Sequence, residues 1–317
     1  MIRFVLMLVP ATYLAAAWAQ NYPDRPVRLI VPFVAGGATD IVSRAVGQRM
    51  SAALGQPVVV DTRGGAGGVI GTDLVAKSPP DGYTLLMATA ANAANASLVR
   101  NLPHDLAKDF APVALVVMSP YLLVVPPAVA NSTADLITLA KSKPGLLNYA
   151  SSGNGSSQHL TGVMFNLMAG TDIVHVPYKG AGAALTEVVA GQIQVFFSAI
   201  PGALPYVKAG RLKGLGVTSA KRSAGIADVP TIAEGGVPGF DMSGWYGLLA
   251  PSGVAPSILK RLNGEVVKAL AASDLRDLLI GMGLDPIGNS PAQYAGFIAA
   301  ELAKYKKLTA AAGIKPE

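Results

Sequence analysis

The chain has no cysteine and only three histidines, and both shortages narrow what it can do. Without cysteine there is no disulfide, no thiol nucleophile and no attachment point for a lipid behind a leader peptide. His104, His159 and His175 are too few and too dispersed for a zinc-type ligand set, so no metal is expected. Charge is sparse as well: Asp, Glu, Lys and Arg make up 14% of the 317 residues. The 25 Lys and Arg exceed the 19 Asp and Glu by six, but they are scattered. Nucleic acid would want a basic run with interleaved aromatics, and none occurs. Also missing are a Gly-x-Ser-x-Gly elbow and a glycine loop followed by Lys-Ser/Thr. No apolar stretch reaches the roughly 20 residues that span a bilayer.

Hydrophobic residues are plentiful, at 51%, enough for a large core in one or two domains. Arg3 precedes an apolar run from Phe4 to Ala17 that closes on Ala17-Trp18-Ala19. A basic start, a short apolar region and a small-x-small site form an export leader. Cleavage after Ala19 is expected, with the mature chain free in the periplasm.

The remainder is organised around Leu29 to Asp40, where a β-branched run meets Gly36-Gly37 and Thr39-Asp40 opens a helical pattern. A strand, a glycine loop and a helix N-terminus in that order make an anion site, because the first-turn N–H groups lack partners. The same pattern also reads as an ordinary βα turn with Thr39 or Asp40 capping. A second strand, a glycine-rich turn at 62–68, a helix and a third strand ending at Thr89-Ala90-Ala91-Asn92 follow. The alternation βαβαβ predicts a parallel sheet covered by helices.

The long run Ala111 to Val125, broken at Ser119-Pro120, is expected to leave one sheet and enter another. Beyond it the opening device recurs: a strand to Ala150, then Ser151-Ser152-Gly153-Asn154-Gly155-Ser156-Ser157-Gln158-His159, then a helix. This loop reads as a second binding loop rich in side-chain donors. A further apolar segment at Leu212 to Thr218 is taken as the return crossing. Residues 20–119 and 221–317 are thus expected to form one discontinuous α/β domain and residues 120–220 a second. Ser152, His159 and Asp172 can be drawn as a hydrolytic triad, although nothing in their spacing requires it.

With both loops in view, the sequence resembles the extracytoplasmic solute receptors of tripartite tricarboxylate transporters, the TctC-like or Bug proteins. The marks are 22–28 (Tyr-Pro-Asp-Arg-Pro-Val-Arg), 32–40 (Pro-Phe-Val-Ala-Gly-Gly-Ala-Thr-Asp), 81–85, 149–160, 176–180, 230–234 and 245–247 (Trp-Tyr-Gly). The resemblance implies two Rossmann-like α/β domains with a ligand cleft between them, as in type II-like periplasmic binding proteins. It also implies capture of a small organic acid, no cofactor, no catalysis, a monomer, and delivery to integral-membrane transporter subunits. An orphan sensor feeding a signalling system is the alternative, with the Ser/His hydrolase behind it. Matched by position, the first loop contributes Phe33, Ala35, Gly36, Gly37, Thr39 and Asp40 to the ligand site. The second contributes Ser151, Ser152, Asn154, Ser156 and His159, with Thr89, Tyr178 and Gly180 as walls. Many relatives carry Asp where this chain has Ser198, so a ligand without an amine is expected.

Overall fold

A computed structural model describes residues 22–33, 35, 38–311 and 313–316. The expected leader, with Gly36 and Gly37, lies outside the described residues. The chain begins with β1 (Val27–Val31), α1 (Ala38–Leu54), β2 (Val58–Thr62), α2 (Val69–Ala76) and β3 (Thr84–Thr89). β1 pairs in parallel with β2 on one side and β3 on the other. Alternation sorts the side chains of this sheet. Leu29, Val31, Leu85 and Met87 enter one core with Val46 and Met50 of α1, whereas Ile30, Leu86 and Ala88 face a second core. The glycine-rich turn at 62–68 is close-packed: a Cβ on Gly71 just behind it would lie 2.6 Å from Arg63 O and 2.8 Å from Pro32 Cα.

β3 runs straight into α3 (Ala90–Leu98), a helix missing from the sequence reading, which stopped at a small polar strand end. Its Ala/Asn composition carries little apolar periodicity. The signal that marks it is a capping box: Thr89 Oγ1 accepts from Ala91 N, and Asn92 Oδ1 accepts from Thr89 N at 2.7 Å.

β4 (Phe110–Val125) is the long apolar run, and it serves two sheets. Phe110 to Pro120 pair antiparallel with β9 (Ser243–Pro251), which also pairs with β3. Tyr121 to Val125 pair with β7 (Val195–Ala199) and β8 (Lys213–Val217). The change of partners falls at Ser119-Pro120, where a residue without an N–H cannot continue the ladder. Between β4 and β8 come α4 (Thr133–Ser142), β5 (Asn148–Ser151), α5 (Ser157–Ala169), β6 (Val174–Pro177), α6 (Ala181–Val189) and α7 (Ile200–Lys208). β5 lies parallel to both β6 and β7.

The segment at Leu212 to Thr218 is β8, a strand of the second sheet; the first sheet is re-entered only at β9. In between, Val217 bridges to Thr231 while Ser223 and Ala224 bond Asp285, so this segment touches both halves. The chain finishes with α8 (Pro256–Ala271), α9 (Ser273–Gly281), β10 (Asp285–Pro286) and α10 (Pro291–Ala311). One hydrophobic cluster crosses between the sheets, joining Ile30 and Leu86 to Phe165 and Phe197 through Tyr305 and Leu308 of α10. No helix among the described residues is long and apolar enough to cross a membrane.

Candidate functional site

Three helices begin around one cavity of about 160 Å³. Thr39 comes from the first turn of α1, Ala90 and Ala91 from that of α3, and Ser157 opens α5. The opposite wall is Ser119 and Tyr121, at the point where β4 changes sheets, with Gly244, Trp245 and Tyr246 of β9 beside it. Phe33 and Thr89 complete the lining, and no lining residue carries a charge.

Hydroxyls dominate the polar surface. Tyr246 hydrogen-bonds with Thr39 and Ser119, and Tyr121 with Ser157. Burial, aided by neighbouring Tyr121, pushes the Tyr246 phenol up to about 12, and burial likewise raises Tyr121. Both phenols therefore stay neutral donors at pH 7. Trp245 is held from behind, its indole N–H donating to Glu301 Oε2 at 2.8 Å. Each helix N-terminus carries about half a positive charge, so three of them supply about 1.5 charge equivalents without any Lys or Arg. An uncharged pocket with that potential fits an anion held by oriented N–H and O–H groups.

The Tripartite tricarboxylate transporter family receptor profile matches residues 42–314. The chain belongs to this receptor family. Among relatives, the BugT protein of Bordetella pertussis is 36% identical over 98% of this receptor and 96% of its own length. An R. palustris protein, Rpa4515, solved with adipate is 37% identical, with a TM-score of 0.77 over 93% of this chain and all (100%) of that one. MatC from Rhodopseudomonas palustris, solved with bound malate, is 32% identical, with a TM-score of 0.72 over 90% of this chain and 99% of that one. The α/β architecture inferred from the sequence is thus the periplasmic binding protein fold of these structures.

The receptor does not gather all the expected site residues in one place. Phe33, Thr39 and Thr89 line the inner cavity. Asp40 is buried and paired with Arg44, and Ala35 is exposed. Ser156 caps α5 by accepting from His159 N, and Ser152 Oγ donates to Gln158 Oε1 at 2.8 Å. Ser151 is buried, its Oγ 2.6 Å from His175 Nε2. Asn154 and His159 line a separate groove. Gly180 precedes α6 with φ 109°, and Tyr178 packs on the core behind the second sheet.

Ser198 is buried inside β7, its Oγ donating to Ala199 O, and it does not line the cavity. The expectation of an amine-free ligand therefore loses its footing at that residue. The triad is not assembled either. His159 Nδ1 accepts from Gly155 N, and Asp172 precedes β6 whereas Ser152 follows the parallel β5. About four residues of strand, roughly 13 Å, separate those two ends. No cluster of three or more metal-ligating side chains occurs among the described residues.

Sequence reasoning missed Ser119, Tyr121, Ser157 and Tyr246 as wall residues. The Trp245-Tyr-Gly247 motif and the break at Ser119-Pro120 were visible. Only the pairing of β4 with β9 brings them together.

Proposed function

We propose that this receptor captures a small organic acid in the inner cavity and hands it to the membrane subunits of a tripartite tricarboxylate-type transporter. The observation that carries the reading is the convergence of three helix N-termini on an uncharged, hydroxyl-lined cavity. In the related structures with adipate and malate the named ligands are carboxylic acids, which suits such a site. The absence of any acidic side chain from the lining favours acids without an ammonium group, on different ground from Ser198. Removal of the leader after Ala19 would release the chain into the periplasm as a monomer that binds and performs no chemistry. The units 20–119 with 221–317, and 120–220, would close on the ligand about β4 and the segment before β9.

Trp18 and Trp245 are the only tryptophans, and leader removal leaves Trp245, on the cavity wall, as sole reporter. Titrating the mature chain with adipate and with malate should give a saturable change in its fluorescence for at least one acid. Loss of a hydrogen bond to a charged group costs about 1.5–3 kcal/mol, so Tyr246→Phe should weaken binding roughly ten- to 150-fold. No saturable change with either acid, or unaltered affinity in Tyr246→Phe, would refute the reading.

A further inference from the structure

A second, larger opening shares no lining residue with the inner cavity. This groove, about 920 Å³, lies between the residues that follow α3, the residues that follow α10, and the loop entering α5. Ala91 of α3 borders the inner cavity and Val99, just past its end, borders the groove. Eight residues of helix put about 12 Å between them.

Among the described residues, the groove wall carries two cations, Arg100 and Lys315, the amides of Asn101 and Asn154, the rings of His159 and His175, and no carboxylate. Arg100 makes one long bond, from Nη2 to Pro316 O at 3.5 Å. Neither cation has an ion-pair partner among the described residues.

The imidazoles are held in place from behind. His159 Nδ1 accepts from Gly155 N at 3.0 Å, so in the neutral ring the proton sits on Nε2, a donor left for the groove. The ring stacks on His175 at 3.9 Å and 10°, and His175 is tied through Nε2 to Ser151 Oγ at 2.6 Å. Burial holds both imidazoles below their ordinary range, so they are neutral donors at pH 7.

We propose that this groove is a second ligand site, distinct from the inner cavity, for a small organic anion bearing two or more carboxylates. Its volume falls in the range of small-molecule sites, about 300–1,000 Å³. The planar Arg100 fork suits one carboxylate and the Lys315 ammonium a second. The His159 N–H and the two asparagine amides remain for other oxygens. A monovalent anion engages only one exposed cation, a weak contact in water, whereas a polyanion engages both. Asn154, His159 and His175 come from the β5–α5 loop, α5 and β6, which belong with the second sheet, and Arg100 and Lys315 from the segments that follow α3 and α10. An occupant therefore bridges the two halves of the receptor.

The chain's three histidines make their ring nitrogens a resolved NMR reporter once each is assigned by substitution. The mature, ¹⁵N-labelled receptor is titrated with citrate, inorganic phosphate and acetate, with Trp245 fluorescence recorded in parallel. Citrate should move the His159 ring signals saturably and acetate should not. Arg100→Gln with Lys315→Gln should weaken that response about tenfold or more while leaving the Trp245 response to adipate or malate unchanged. A citrate response confined to Trp245, or a His159 response undiminished in the double variant, would overturn the proposal. Phosphate binding as tightly as citrate would overturn the organic-acid class. The two reporters sit in different cavities, so failure of the groove is seen apart from failure of the inner site.

Discussion

Replacing Glu301 tests how firmly the cavity wall is anchored to the last helix. Its carboxylate is 3% exposed and accepts from the Trp245 indole N–H at 2.8 Å. It also pairs with Lys304, one turn further along α10, whose side chain keeps 22% exposure. Glu301→Ala orphans the indole N–H at a site where Trp245 is 1% exposed. That loss, a bond to a charged acceptor, costs about 1.5–3 kcal/mol, and the cavity left behind adds about 1 more. Lys304 can turn toward solvent and bonds Asp241 O at 3.4 Å, so its share is small. The sum, about 2.5–4 kcal/mol, should lower the melting temperature by roughly 5–16 °C, taking about 2–4 °C per kcal/mol at this size. Glu301→Gln keeps an amide oxygen for the indole and should cost only about 1 kcal/mol. Urea unfolding followed by far-UV circular dichroism measures both variants, and the Trp245 emission maximum should move in Ala but hold in Gln. Equal destabilisation of the two variants would refute the reasoning, because the hydrogen bond would then contribute nothing beyond the charge.

Three further outcomes follow from packing and titration. A Cβ on Gly247 would lie 2.1 Å from the hydroxyl of fully buried Tyr294, so Gly247→Ala should destabilise by about 3 kcal/mol. Gly264, inside α8 with open space around it, should gain about 0.5–1 kcal/mol on the same change in parallel thermal melts. Burial, followed by repulsion from His159, lowers His175 from 6.5 to about 4. The unfolded chain therefore binds the proton first on acidification. The stability gained from keeping His175 neutral is complete above about pH 6.5 and is lost as pH falls toward 4. Urea midpoints measured from pH 7 to pH 4.5 should fall, and His175→Asn should flatten that fall.

Much of this receptor was legible in the linear order of residues, because the signals are local. Apolar runs bounded by glycine and proline place β1, β2 and α2 within a residue or two, and the run from Ala111 to Val125 with its Ser119-Pro120 break announces a strand shared between sheets. Thr39 could be picked as a cavity residue because it sits where a glycine loop hands over to a helix start, and Thr89 because it closes a strand on a small, polar tip; both are features of neighbouring residues alone.

What escaped depends on pairing between distant segments. Tyr121 and Tyr246 meet only because β4 and β9 run antiparallel through Ser119–Gly244 and Met118–Trp245. Alternation then decides which side chains face the cavity, and a one-residue slip would turn them away. The loop at 151–159 looked like a single binding element. In the folded chain its first hydroxyls cap and brace the loop itself, Ser157 alone reaches the inner cavity, and Asn154 and His159 turn toward the groove. Composition and motifs determined the family, the anion-seeking character and the two-sheet plan. Strand register and helix packing decided which donors share a cavity, because a site depends on distances between side chains that the order of residues does not contain.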